Sequence, residues 1–219
     1  MLARMVARQC ALALCLSSAA DAASVHNWDA FKTVDAISYV ADIAVDLDKP
    51  INCKLDKDAL GTNLRFVANQ SLRLKIIPPQ ERFERQQALE AEVTTLSDKL
   101  VAMGYEKPNT AEYLETQKQL NSASTRALHY NWMPTFYITG AIHEIGGACT
   151  ANLQGELQAM TSPANLLWND TRILYPDATL WTKSVWVTAG SSRFSAYFID
   201  VAEQLMKELV NDWSAAQQQ

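Results

Sequence analysis

Between Phe136 and Met160, two runs of alternating apolar and polar residues meet at Gly146-Gly147, a dipeptide suited to a two-residue turn. If Ile145 faces Ala148 across that turn, Phe136 falls beside Leu157, Ile138 beside Gly155, Gly140 beside Leu153, Ile142 beside Ala151 and Glu144 beside Cys149. One face is then apolar along nearly its whole length. The other carries Tyr137/Glu156, Thr139/Gln154, Ala141/Asn152 and His143/Thr150. A slip of one residue would mix the two sets, so the pattern sets register as well as turn. Whatever else the chain does, it must shelter one face of this antiparallel hairpin.

The flanking segments supply further elements. Ser24 to Lys32 gives no clear pattern. Ile37, Tyr39, Ala41, Ile43, Val45 and Leu47 alternate with Ser38, Asp42, Asp46 and others and read as a strand with one wet face, ended by Asp48-Lys49-Pro50. Residues 57–69 could form a helix on Leu60, Leu64 and Val67. From Leu64 to Ile76, however, one parity reads Leu64, Phe66, Ala68, Gln70, Leu72, Leu74 and Ile76, six of seven apolar, and the other Arg65, Val67, Asn69, Ser71, Arg73 and Lys75, one of six apolar. That alternation predicts a long strand, bent at Asn69-Gln70. Pro78-Pro79 stops it and launches a helix at Gln80, with Leu89, Val93, Leu96, Leu100 and Met103 in one stripe and Gly104 as its stop. Pro108-Asn109-Thr110 restarts a second, more polar helix running to about His129. The resulting helical hairpin, about 80–129, is expected to pack on the sheet. Arg172 to Tyr175 and Leu180 to Thr188 read as strands joined at Pro176-Asp177. A final amphipathic helix starts near Ser191/Ser192 and buries Phe194, Phe198, Val201, Leu205, Leu209 and Trp213. The order β-β-αα-β-β-β-β-α gives an α+β fold with a mainly antiparallel sheet, a helical hairpin insertion and a C-terminal amphipathic helix.

The first 22 residues read as an export signal. Arg4 and Arg8 precede a short apolar centre, and Ala20-Asp21-Ala22 offers an A-x-A cleavage site. The apolar centre is too short to span a bilayer, and no later segment is apolar enough to do so. Residues 23–219 are therefore expected to form a single domain, soluble and exported to the periplasm or beyond. A net charge of −5 over the 219 residues speaks against a nucleic-acid binder.

Of the four cysteines, Cys10 and Cys15 leave with the signal, so Cys53 and Cys149 remain in an oxidising compartment. A disulfide closing that loop of roughly 100 residues would stabilise by about 4–5 kcal/mol in the loop-entropy model. Two free thiols or a redox thiol are the alternatives. The latter needs an activating partner, and the hairpin register sets His143, the nearest histidine in sequence, on the opposite face from Cys149. His143-Glu144 lacks the second histidine of a zinc-peptidase motif, since position 147 is Gly, and His26 and His129 show no ligand spacing. No metal site and no cofactor is expected. Thr188-Ala189-Gly190-Ser191-Ser192 lacks the second glycine of a nucleophile elbow and reads as a helix N-cap. With only seven glycines in the chain, neither a P-loop nor a G-x-G-x-x-G occurs. No catalytic group emerges.

The remaining chemistry is aromatic. Trp168, Trp181 and Trp186 lie close in sequence, on strands or their ends. Exposed, and with Tyr137 and His143, they would form a candidate binding surface able to stack on sugars or anchor a protein. Buried, they would be core. Asn69-Gln70-Ser71 and Asn169-Asp170-Thr171 match the N-glycosylation sequon, which matters only in a source that secretes through an endoplasmic reticulum.

Asn69-Gln70-Ser71 with Leu72–Lys75, Thr139 to Glu144 with Cys149, and Lys207 with Asn211-Asp212-Trp213 together resemble small uncharacterised exported proteins of bacteria, a resemblance that implies export and no activity. The strand ending in Gly140, the hairpin and the closing helix also resemble, in topology, envelope accessory domains of the TolB N-terminal or curli-secretion type. The expectation is a soluble exported binding or accessory protein of a cell-envelope assembly, with a protein partner and without catalysis. The alternatives are a secreted hydrolase whose site joins sequence-distant residues, and a carbohydrate-binding module built on the tryptophans.

Overall fold

A computed structural model describes residues 23–26, 28–45, 52–104, 110–131, 133–159 and 178–218. Its elements are β1 (Ser24–Val25), α1 (Trp28–Lys32), β2 (Ala36–Val45), α2 (Lys57–Gln70), β3 (Lys75–Ile77), α3 (Pro79–Met103), α4 (Ala111–Asn131), β4 (Thr135–Ile145), β5 (Ala148–Ala159), β6 (Ala178–Gly190) and α5 (Ser191–Ala216). The expected export segment 1–22, the strand at Arg172–Tyr175, its turn at Pro176-Asp177, Trp168 and the Asn169 sequon lie outside the described residues.

The fold is α+β, and among the described residues six strands form one sheet in the order β1-β6-β5-β4-β2-β3. The sheet is mixed: β1/β6, β4/β5 and β5/β6 are antiparallel, whereas β2 runs parallel to both β3 and β4. Parallel neighbours need a crossover connection, and α2 supplies one between β2 and β3. The β4–β5 hairpin has the register read from its alternation, from Thr135↔Gln158 to Ile145↔Ala148. Gly146 and Gly147 take φ of 59° and 81°, the left-handed conformation that this turn demands.

One face of the sheet is covered by α1, α2 and α5. Ile37, Tyr39, Ile43, Phe136, Ile138, Ile142, Ala151, Leu153, Leu157, Trp181 and Val187 point into that layer and are buried. From the helices, α5 contributes Phe194, Phe198, Ala202, Leu205, Met206 and Leu209, and α2 contributes Leu60, Leu64, Val67 and Ala68. Polar groups at this interface are paired. Trp181 donates its indole N–H to Asp212 at 2.8 Å, Trp213 donates to the Val34 carbonyl at 3.0 Å, and Lys183 pairs with Glu208.

Three expectations need correction. The segment 57–70 is a helix, not the start of a long strand, and β3 keeps only three residues. Asp56 caps that helix, its carboxylate accepting the Ala59 N–H at 2.9 Å, and Leu60, Leu64, Val67 and Ala68 give it a buried stripe at helical spacing. Secondly, the helical hairpin does not lie on the sheet. No residue of α3 is buried, and among the described residues its apolar stripe is half-covered by α4, through the small residues Thr116, Ala123 and Ala127. The hairpin projects, with Arg126–Glu92 (2.7 Å) and Lys99–Glu112 (3.3 Å) bridging its helices. Thirdly, Ser191 and Ser192 do not cap α5. Gly190 holds the N-cap position without a side-chain bond, and the hydroxyl of Ser195 instead accepts the Asp56 N–H at 3.0 Å.

Candidate functional site

The face of the sheet opposite α2 and α5 is built from the alternate residues of the same strands. Across it run Val40, Asp42 and Ala44 of β2, Tyr137, Thr139, Ala141 and His143 of β4, Thr150, Asn152, Gln154 and Glu156 of β5, and Ser184, Trp186 and Thr188 of β6. None of these is buried, and among the described residues no helix covers them. The base of the projecting hairpin closes only the lower end, where Ala36, Ile77 and Met133 form a small buried cluster with Tyr130 against it. Arg82 of α3 locks this corner. Its guanidinium donates to the Thr135 hydroxyl at 2.8 Å and to the carbonyls of Tyr130 and Asn131 at 3.1 and 3.2 Å. Burial pulls its pKa below the usual arginine value, an effect opposed by the nearby Tyr137 phenol.

The candidate aromatic surface divides on this geometry. Trp186 is 52% exposed, in register with Asn152 on the open face, and Tyr137 and His143 share that face. Trp181 has the opposite parity, is 0% exposed and packs edge-on to Phe136 with ring centroids 5.8 Å apart, so it belongs to the core. Its place in a binding surface is corrected accordingly. Gly155 is small for the same reason: a Cβ there would meet the Phe136 and Trp181 rings at 3.0–3.2 Å. Thr179 and Glu156 hydrogen-bond to each other beside the irregularity that follows Leu157.

Cys53 and Cys149 are bonded, with Cα atoms 5.5 Å apart. The bond ties the loop before α2 to β5, and two neighbours reinforce the junction: the Asn52 N–H donates to Glu144 at 2.9 Å, and Asp56 meets Ser195 as above. Both sulfurs lie in the core. Redox chemistry by these thiols would need this junction opened.

A groove missed at the sequence level lies on the helix side of β2. It has a volume of about 690 Å³ and is lined by Tyr39, Ala41 and Ile43 of β2, by Lys57, Leu60, Gly61, Leu64 and Arg65 of α2, and by Pro78, Pro79 and Gln80. Burial raises the pKa of the Tyr39 phenol, and the neighbouring Arg65 partly offsets that rise. Neither His129 nor His143 lines it, so the hydrolase alternative gains no histidine here. Among the described residues, no cluster of three or more His, Cys, Asp or Glu could hold a metal, and no helix is long and apolar enough to cross a membrane.

No family model matches the chain, and no curated protein matches it. Among solved structures it is similar to the PelC L103M dodecamer from Paraburkholderia phytofirmans, at 10% identity and a TM-score of 0.34, over 88% of this chain and 96% of that one. A likeness of this distance assigns no activity.

Proposed function

We propose that this is a soluble exported protein, periplasmic or secreted, that acts by binding within a cell-envelope assembly and carries no catalytic activity of its own. The observation that supports it is the buried Cys53–Cys149 bond between the loop before α2 and β5, because such bonds persist in oxidising compartments. The open sheet face, with Trp186, Tyr137 and His143 standing on it, is the surface this reading assigns to a partner protein. Exposed aromatic side chains on a rigid strand are the residues that most often anchor an interface.

The test is to fractionate cells producing the full chain with a photo-crosslinking residue at position 186 or, as control, at Val101 near the far end of α3. The expected result is a disulfide-bonded protein outside the cytoplasm, with a discrete adduct from position 186 only. A reduced cytoplasmic protein, or equal adducts from both positions, would overturn the reading. A second reading is carbohydrate binding, favoured by Trp186 beside the Asn152 amide. Glycan-array binding lost in Trp186→Ala would select it.

A further inference from the structure

We infer that the upper edge of β2, together with the groove beside it, accepts an extended segment of a partner protein by strand addition, and that this segment carries an apolar residue flanked at alternate positions by acidic ones. The inference rests on the reading that the protein works by binding, but it concerns a different surface. β3 pairs only with Ala36, Ile37 and Ser38, so among the described residues nothing continues that ladder past Ser38. The Ser38 N–H donates to the Pro134 carbonyl at 2.9 Å, which places the backbone groups of Ser38, Val40, Asp42 and Ala44 toward β4. Backbone groups alternate sides along a strand, so the Tyr39 N–H closes the ladder on the Ile77 carbonyl, while the Tyr39 carbonyl and the backbone groups of Ala41 and Ile43 point outward at the free edge. An unpaired edge of this kind is a template for another strand.

The side chains of the same three residues line the groove, and α2 forms its wall. Lys57, Gly61 and Arg65 lie at four-residue spacing and so share one stripe of that helix. Gly61 leaves the middle open: a Cβ built there meets nothing within 4 Å. The stripe is roughly 12 Å long at 1.5 Å per residue, close to the roughly 13 Å from Tyr39 to Ile43 along the strand. An added strand therefore sets one inward side chain opposite Gly61, over Leu60 and Leu64, and the inward neighbours near Lys57 and Arg65. Among the described residues neither cation forms an ion pair. Among the described residues Asp58 is the only acidic group in the lining, so the described wall carries a net positive charge that selects carboxylates.

The experiment uses the full chain, isotope-labelled, titrated with capped heptapeptides Thr-Glu-Thr-Xaa-Thr-Glu-Thr, where Xaa is Ala, Val, Leu or Phe, and with their Lys-for-Glu counterparts. The expected result is saturable shifts and slowed exchange at the Ala41 and Ile43 amides, with binding at least tenfold weaker for the Lys peptides and weakened by salt. Gly61→Trp, which fills the groove, and Ala41→Pro, which removes an edge N–H but no bond to β4, should each reduce binding at least tenfold. Retained native spectra show that these variants fold. Lys57→Gln/Arg65→Gln keeps the groove open and should lose the Glu-over-Lys preference alone. No shift at those amides with any peptide at millimolar concentration, or undiminished binding to Gly61→Trp, overturns the proposal. Trp186→Ala should leave peptide binding unchanged, so failure here and failure of the open-face reading are separable.

Discussion

Reducing the Cys53–Cys149 bond tests how much of the stability comes from restraint of the unfolded chain. The two residues are separated by 96 positions. In the loop-entropy model, closing a loop of that size lowers the unfolded-state entropy by an amount worth about 4.7 kcal/mol at 25 °C. Little of the native contact set should be lost on reduction. Both thiols would stay buried as small apolar groups, and Asn52–Glu144 and Asp56–Ser195 still hold the loop against β4 and α5. The expected loss is therefore close to the entropic figure, about 3–5 kcal/mol. At roughly 2–4 °C per kcal/mol for a chain of this size, that corresponds to a fall in Tm of roughly 6–20 °C. Urea unfolding of the oxidised protein and of protein reduced with excess phosphine, both checked for reversibility, measures it. The m-value should rise on reduction, because the unfolded chain becomes less compact. A loss below about 1 kcal/mol with an unchanged m-value would refute the reasoning, since it would mean that the unfolded chain is restrained by something other than the bond.

Three other perturbations test separate parts of the fold. Gly155→Ala should destabilise by about 1–3 kcal/mol, because its methyl would press on the Phe136 and Trp181 rings; urea unfolding followed by tryptophan fluorescence checks this. Arg82→Met should cost about 1–3 kcal/mol by stripping partners from the Thr135 hydroxyl and the Tyr130 and Asn131 carbonyls; hydrogen exchange should quicken at the base of α3 and α4 but not in β5. Tyr39→Phe should remove a stability loss at high pH. With its native pKa above the ordinary 10.0, the phenol ionises first in the unfolded chain, so its contribution is full below pH 10 and falls as pH rises through the native value. Wild-type and variant stabilities should run parallel from pH 7 to 9 and converge or cross only above pH 10.

Part of the site was legible in the sequence and part was not. The hairpin register placed Tyr137 and His143 on one face and Cys149 on the other without any coordinates, because two alternations meeting at Gly146-Gly147 leave no freedom to slip. The same parity, carried into β6, separates Trp181 from Trp186: residues five apart on a regular strand face opposite ways, so these two could not share a platform. What the pattern could not supply was the groove. It depends on how far β3 extends along β2 and on which helix stands beside that edge, and both are tertiary facts.

The misreading of residues 57–76 shows why. Leu64, Phe66, Ala68, Leu72, Leu74 and Ile76 alternate as a strand would, yet Phe66 is 59% exposed and Leu72 is 96% exposed. Two apolar side chains in water produced the false period. Without them Leu60, Leu64, Val67 and Ala68 leave a helical stripe, and Asp56 supplies a capping bond worth about 1 kcal/mol at its start. The difference is structural as well as formal. A strand running from Leu64 to Ile76 beside β2 would have paired its whole edge and filled the groove with its own side chains. Because the segment folds as α2 instead, β3 is left with three residues, Ala41 and Ile43 keep their backbone groups outward, and Gly61 faces the opening. The place where local pattern and fold disagree is thus the place where the sheet is left unfinished, which is where a binding edge is expected when a sequence departs from its simplest consistent structure.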